Sequence, residues 1–428
     1  MNRIARVPYA VAGAIARGLA AVAPAGDAKA ARTLRARRGI VGRYEEWAAS
    51  NRDPTRPLLW IHAPSVGEGL QALPVIKLLR AQHPEMQLAY TFFSPSAEAF
   101  AATVGADFHD YLPFDTASDS ERALEALRPD ALVFSKLDVW PLLVETASRK
   151  GVKLGMLSAT MPASSLRHSA MARLVLGDAY TSFAAVGAVS DADAMRLIAA
   201  GVPADRVTVT GDTRYDQAWQ KAEESSSDRE SLLAPLRGPR FTLVAGSTWP
   251  SDEDQLLPAW LAVRAKHRDI RLIIAPHELS HKHLEAIESW THENNLSAAR
   301  VGEPEASGAD VVIVDRYRIL GDLYALADIS YVGGGFRSAG LHSLLEPAAY
   351  GSPVIVGPRH EDNRDARLLV AAGGAFRCAD AFAIESRIRR WLDTPVSLSQ
   401  ARAAAREVVR SGLGAAERSL ELVEALLR

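Results

Sequence analysis

The chain has 428 residues, a net charge of −2 and 23% charged residues; it is too long for one ordinary core and suits two domains of about 200 residues each. A balance this close to neutral excludes a general affinity for nucleic acid. Cys378 is the one cysteine, which excludes an intrachain disulfide and a cysteine-built structural zinc site and fits a reducing compartment, and no apolar run is long enough to make a convincing membrane span.

The N-terminus is less neutral than the whole. Before residue 44, Arg3, Arg6, Arg17, Lys29, Arg32, Arg35, Arg37, Arg38 and Arg43 face a single acid, Asp27. Ile4, Val7, Val11, Ile15, Leu19 and Val22 recur among them at near-helical spacing. Two readings fit. A basic amphipathic helix can lie on an anionic membrane surface, where each nearby Lys or Arg gains about 1 kcal/mol. The same pattern also fits a helix packed on the protein with a solvated basic face. A cleaved signal peptide fits poorly, because Arg17 interrupts the Ala-rich stretch 8–24.

Apolar runs then recur, each followed by helix-like sequence, at 58–61, 88–93, 131–134, 152–157, 184–189 and 207–210. After the polar stretch 217–238 they resume at 241–245, 272–275, 311–314, 329–332 and 354–356. Strand–helix alternation of this kind predicts an α/β protein of parallel sheets with helices on both faces. Two doubly wound domains facing across a cleft would bind ligands at the carboxyl ends of their strands. The segment 397–428 reads as one or two amphipathic helices returning to the first domain.

Motifs cluster at those strand ends. After the first run comes Ser65-Val66-Gly67-Glu68, in which Ser65 can cap a helix and Glu68 stands at its start. Glu68 there is either a general base for an attacking hydroxyl or the second half of a capping box. Gly333-Gly334-Gly335-Phe336 follows the run at 329–332 and precedes Leu341-His342-Ser343-Leu344-Leu345-Glu346-Pro347. Glycines at a strand end let backbone N–H groups approach an anion, and Glu346 can accept from sugar hydroxyls, a pattern suited to a nucleotide sugar. Asp191-Ala192-Asp193 and Asp252-Glu253-Asp254 mimic metal-binding Asp-x-Asp motifs, yet Ser190 and Ser251 precede them as N-caps, so both read as helix starts. His277-Glu278-Leu279-Ser280-His281 spells a zinc-protease pattern, but Pro276 and the strand before it place His277 at a strand-to-helix junction, with His281 one turn inside the helix.

Taken in order, these motifs resemble the Kdo transferases, which add 3-deoxy-manno-octulosonic acid (Kdo) to a lipid A precursor. The matching segments are Arg37-Arg38-Gly39-Ile40, Ser65-Val66-Gly67-Glu68, Thr91-Phe92-Phe93-Ser94-Pro95-Ser96, Lys136-Leu137-Asp138-Val139-Trp140, Thr210-Gly211-Asp212-Thr213-Arg214-Tyr215-Asp216, Gly246-Ser247-Thr248, Ala275-Pro276-His277-Glu278, the glycine triplet with His342 to Pro347, and Gly357-Pro358. The resemblance implies a GT-B glycosyltransferase fold with CMP-Kdo as donor, an inverting reaction, and no metal or cofactor. It implies Glu68 as catalytic base, with Ser65, Gly67, Ser94, Ser96, Lys136 and Asp138 on the acceptor side. Arg214, Gly246, Ser247, Thr248, His277, Gly334, Gly335, His342, Ser343 and Glu346 would bind the donor. The backbone near Gly334 and Gly335 would cradle its phosphate, and Glu346 its ribose.

The implied organisation is a membrane-associating segment at 1–45, an acceptor domain at 46–216, a linker at 217–238, a donor domain at 239–396 and returning helices at 397–428. The implied place is the cytoplasmic face of the inner membrane, held peripherally or by the N-terminus, in lipopolysaccharide synthesis. Three departures stand out: Ser343 replaces the usual asparagine, Asp138 is one methylene shorter than the usual glutamate, and Trp249-Pro250 replaces histidine-glutamate. From the residues alone, another nucleotide-sugar transferase or epimerase, or an idle ligand-binding relative, shares the architecture.

Overall fold

The computed structural model describes residues 3–22, 29–224, 227–338 and 340–428. Asp27 of the basic segment, and Ser225 and Ser226 of the polar stretch, lie outside the described residues. The chain divides into two units, Met1–Gln217 with Gly414–Arg428, and Ala218–Leu413.

The first unit is built on seven parallel strands: β1 (Leu58–His62), β2 (Gln87–Phe92), β3 (Phe108–Tyr111), β4 (Ala131–Ser135), β5 (Lys153–Ala159), β6 (Ala185–Ala188) and β7 (Val207–Val209). Their order is β3-β2-β1-β4-β5-β6-β7. The strands run inside a sheet covered on both faces, so β1, β2 and β4 are buried at every residue and need no polar alternation. The winding direction reverses between β1 and β4. Loops leaving those two strands diverge there and open a crevice.

The second unit repeats the plan with β8 (Thr242–Thr248), β9 (Arg271–Pro276), β10 (Ala298–Arg300), β11 (Val311–Ile313), β12 (Ile329–Val332), β13 (Val354–Val356) and β14 (Ala375–Arg377). All pairs are parallel, in the order β10-β11-β9-β8-β12-β13-β14. Its reversal lies between β8 and β12. Three strands, β3, β10 and β14, fall outside the apolar runs of the sequence. All three are sheet edges, half exposed, and too short to carry a run of buried residues.

The stretch 217–238 is largely helical, in Arg214–Glu223 and Ser227–Leu233, and Leu233 and Leu236 are buried in the second unit. The C-terminal segment also divides. Helix Pro395–Ser411 stays with the second unit, burying Leu398, Ala401, Ala405 and Val409. Only helix Ala415–Leu427 belongs to the first, where Leu420, Val423 and Leu426 join the core. Asp216 fixes its start by accepting from the Gly414 and Ala416 amides at 2.7 and 2.9 Å, the arrangement that unpaired N–H groups at a helix N-terminus favour.

The N-terminal helix Arg3–Val22 matches neither reading of its pattern in full. Its polar side turns inward: Tyr9 donates to Asp115 at 2.7 Å, Arg17 to Ser118 at 3.1 Å, and Arg6 pairs with Glu145 at 2.9 Å. Burial, and then Asp115, hold the Tyr9 phenol well above its ordinary range. The apolar side faces outward, with Val7, Val11, Ile15 and Leu19 exposed by 68, 52, 58 and 52%. No helix among the described residues is long and apolar enough to cross a membrane.

Candidate active site

In the first unit the crevice between β1 and β4 gathers most of the expected acceptor-side residues. Ser65 caps helix Val66–Gln82, accepting from the Gly67 amide at 3.2 Å. Its hydroxyl donates to Glu68 Oε2, and Lys136 Nζ, from the loop after β4, reaches Glu68 Oε1 at 3.1 Å. Glu68 therefore faces a hydroxyl and an ammonium. Burial pushes its pKa up, but Ser65 and Lys136 outweigh burial and hold it below the usual carboxylate range. Lys136 carries φ of 60°, a left-handed conformation that costs a residue with a Cβ of order 1 kcal/mol and persists where surroundings enforce it.

Beside this pair runs a chain of polar contacts that the sequence did not announce. Trp60 Nε1 donates to Thr91 Oγ1 at 2.9 Å, and Thr91 Oγ1 lies 3.0 Å from His62 Nδ1. His62 Nε2 and Trp140 Nε1 each sit 3.0 Å from Asp138 Oδ2. Burial pushes the Asp138 pKa up, but His62, Trp140 and Arg167 together outweigh it, so the net direction is down. Ser94 and Ser96 lie after β2, 2.8 Å apart, and the Ser94 amide donates to the Pro64 carbonyl at 2.8 Å. Arg37 is structural: buried, it donates to the carbonyls of Leu112, Thr33 and Phe93 and lies 4.2 Å over the Phe93 ring.

Arg214, expected on the donor side, belongs to the first unit. Its guanidinium grips Asp212 at 2.6 Å, so a local ion pair occupies it. The expected donor set therefore does not lie in one unit.

In the second unit the crevice between β8 and β12 collects the rest. Ser247 has φ of 54°, and its carbonyl packs so closely on Gly333 that a methyl there would overlap it. Gly334 has φ of 96°, which suits glycine. Its amide corrects one expectation: it donates to Asp252 Oδ2 at 2.8 Å rather than pointing out to an anion. Asp252 also accepts from the Trp249 amide at 3.1 Å, Tyr331 Oη at 3.0 Å and the Phe336 amide at 3.3 Å. Ser251 is not the cap of this helix, which begins at Pro250 with Trp249 before it, because Asp252 reaches back to the Trp249 amide. At Asp191 the expectation holds, with the Ser190 hydroxyl capping the helix Asp191–Ala199.

Thr248 is buried and donates to Glu253 at 2.7 Å, and Glu253 meets His283 Nε2 at 2.9 Å. The His277 ring stacks on Trp249 at 4.5 Å and on His342 at 4.4 Å, and Arg337 lies 3.6 Å above Trp249. Burial, then His277, lower the His342 pKa, so its neutral form prevails at neutral pH. His281 opens helix His281–Glu293 instead of sitting a turn inside it, and contacts Glu285 at 3.0 Å. The zinc-protease spelling therefore does not put both histidines on one helix.

A loop separates the glycines from the short helix Leu345–Ala349. Ser343 Oγ accepts from the Leu345 amide at 3.4 Å, and Glu346 Oε1 lies 3.4 Å from Lys221 Nζ. Gly246 and Gly335 line the same strand ends, Gly246 amid the ladder to β12 and Gly335 against Gly357. The structure adds Asp252, read from the sequence only as a helix start, and Arg337 and Lys221 to this site, and gives Trp249, a departure from the family motif, its contacts. Asp252 had a sequence signal as the acid in the first turn of the helix after β8, and Trp249 as a departure from the family's histidine-glutamate; Arg337 and Lys221 had none.

The family model of 3-deoxy-D-manno-octulosonic-acid transferase (kdotransferase) matches residues 32–217. A 3-deoxy-D-manno-octulosonic acid transferase of Bordetella pertussis is 30% identical over 385 residues, covering 87% of this chain and 88% of its own. That of Haemophilus influenzae is 25% identical over 398 residues, 92% of each chain. Among solved structures, the UDP-GlcNAc 2-epimerase of Neisseria meningitidis superposes with a TM-score of 0.62 at 15% identity, covering 86% of this chain and 100% of that one. A glycosyltransferase of Rickettsia africae gives 0.56 at 15% identity, with 87 and 99% covered. At such identities the structural likeness shows the fold alone, two doubly wound Rossmann-like domains of the GT-B type. Sequence likeness along nearly the whole chain goes further: the protein belongs to the 3-deoxy-D-manno-octulosonic acid transferase family and is a glycosyltransferase.

Proposed function

We propose that the protein transfers Kdo from CMP-Kdo to a lipid A precursor in lipopolysaccharide synthesis, with inversion at the anomeric carbon and Glu68 as general base. The observation that carries this reading is the half-buried Glu68 carboxylate, held ionised at the mouth of the β1/β4 crevice by Ser65 and Lys136. An acceptor hydroxyl within hydrogen-bond reach gives its proton to Glu68 as its oxygen attacks the anomeric carbon. The bond from that carbon to the CMP phosphate oxygen breaks, and its electron pair leaves with the phosphate. Lys136 and Ser65 keep Glu68 charged until the proton arrives.

On the donor side, the rings of Trp249, His277 and His342 and the strand ends around Gly333 form a surface suited to a nucleotide. Glu346 is the carboxylate for the ribose hydroxyls. Gly335 and His342, rather than the engaged Gly334 amide, are the groups for the phosphate.

The outward apolar stripe of helix Arg3–Val22 supports a peripheral seat on an anionic bilayer, the cytoplasmic face of the inner membrane, where the acceptor resides. Mass spectrometry of a tetraacylated lipid A precursor incubated with the protein and freshly generated CMP-Kdo tests the transfer. Increments of one or more Kdo units, absent with Glu68→Ala, are the expected result. No increment from folded wild-type protein overturns the reading.

A further inference from the structure

Trp249 occupies a singular place in the second unit. It follows β8, its ring is covered by the Arg337 guanidinium at 3.6 Å, and His277 stacks on it at 4.5 Å. Its indole Nε1 lies 3.3 Å from His342 Nε2 in hydrogen-bonding geometry. An indole N–H only donates, so the nitrogen facing it must carry a lone pair. A neutral imidazole has one such nitrogen, and the proton then resides on the other. We infer that Trp249 is a positioning residue that locks His342 in the Nδ1–H tautomer, so that His342 offers a hydrogen-bond proton to an anionic group of the nucleotide-sugar donor.

The surroundings agree. Burial and the neighbouring His277 and Arg337 disfavour a second proton on His342, against a smaller opposing pull from Asp252. His277 stacks on His342 at 4.4 Å as well as on Trp249, so the rings hold one another in orientation. The backbone is pinned too, since the His342 amide donates to the Gly333 carbonyl at 3.2 Å and the Trp249 amide to Asp252 at 3.1 Å. The two ends of the indole–imidazole bond thus ride on segments tied to the same crevice. An imidazole free to flip would present a lone pair to an anion part of the time, and a lone pair repels it. Fixing the tautomer removes that state before the ligand arrives, and preorganisation of this kind improves affinity by cutting the cost of ordering. This inference rests on the reading of the β8/β12 crevice as a nucleotide site.

The test uses the full chain labelled with ¹⁵N-histidine at mildly alkaline pH, with the His342 signals assigned by loss in His342→Gln. Wild-type protein should show a lone-pair shift at Nε2 and a protonated shift at Nδ1. Trp249→Phe keeps an aromatic ring beneath Arg337 and against His277 while removing the indole N–H together with the pyrrole ring. In that variant the His342 shifts should move toward the Nε2–H tautomer, and CMP should bind about three- to tenfold more weakly, the net worth of one hydrogen bond. In turnover, KM for the donor should rise by more than kcat falls.

A protonated Nε2 in the wild type, or His342 shifts unchanged in Trp249→Phe, overturns the lock. A shift that moves while CMP affinity stays constant overturns the positioning role. Failure of the wild type to bind CMP, with the tautomer as stated, overturns the nucleotide reading and leaves the lock standing.

Discussion

Glu68 and Asp252 hold the same place in the two units. Each is the third residue of the helix that follows the first strand of its sheet, Val66–Gln82 after β1 and Pro250–Arg264 after β8, beside the point where the winding reverses. Their surroundings differ entirely. Asp252 is fully buried and accepts from three backbone amides and the Tyr331 hydroxyl. Glu68 is partly exposed, with one hydroxyl and one ammonium as its side-chain donors. A carboxylate saturated by fixed donors organises a loop; one with lone pairs open to a crevice can accept a proton. The same fold position thus serves structure in one unit and is open to chemistry in the other.

Glu68→Gln should break that contrast most visibly. It keeps the shape and removes the base, so kcat/KM for transfer should fall by about 10²–10⁴-fold, while the melting temperature drops only slightly with the loss of the Lys136 ion pair. A loss smaller than tenfold would remove Glu68 from the proton transfer. At the opposite pole, Asp252→Ala strips partners from buried donors and should destabilise the protein by about 2–4 kcal/mol in urea unfolding, before any effect on rate is considered. Equal stability to the wild type would mean that water replaces the carboxylate and that the glycine loop does not depend on it.

Gly333→Ala puts a methyl into the Ser247 carbonyl. We expect a cost of about 1–3 kcal/mol from overpacking, together with loss of CMP binding measured by calorimetry as the two strand ends separate.

Lys136→Met sharpens the comparison by removing the ammonium, and with it the charge and the hydrogen bond that face Glu68. Burial raises the Glu68 pKa while Ser65 and Lys136 lower it. Without the ammonium the pKa must rise. A base works when deprotonated, so the acid limb of the kcat/KM profile should move to higher pH, and the rate should fall least at alkaline pH. An acid limb at the wild-type position would show that another group sets it.

Much of the fold was legible because buried parallel strands need unbroken apolar runs. β1, β2, β4, β8, β9, β11, β12 and β13 carry such runs. The edge strands β3, β10 and β14 were hidden, since a half-exposed strand of three or four residues has no periodic signal that stands above loop sequence. Ser251 looked like a cap because serine favours that position, but the start of the helix was set by Pro250 and by Asp252 reaching back to the Trp249 amide. In helix Arg3–Val22 the spacing gave the two faces correctly. It left open which one meets the protein, and Asp115, Ser118, Asp119 and Glu145, far along the chain, settle that.

By itself the sequence determined the α/β class, the two-sheet plan and the positions of Ser65, Glu68 and the glycine triplet, because propensity, burial pattern and turn chemistry act over a few neighbouring residues. Only the tertiary structure decided that Lys136 meets Glu68, that Asp252 takes the Gly334 amide, that Arg214 pairs with Asp212, and that Trp249, His277 and His342 stack. Those contacts join strand ends separated by tens of residues or lie in loops whose course no local preference dictates. Hydrogen bonds and ion pairs depend on ångström-scale placement, which is fixed only when the sheets are assembled.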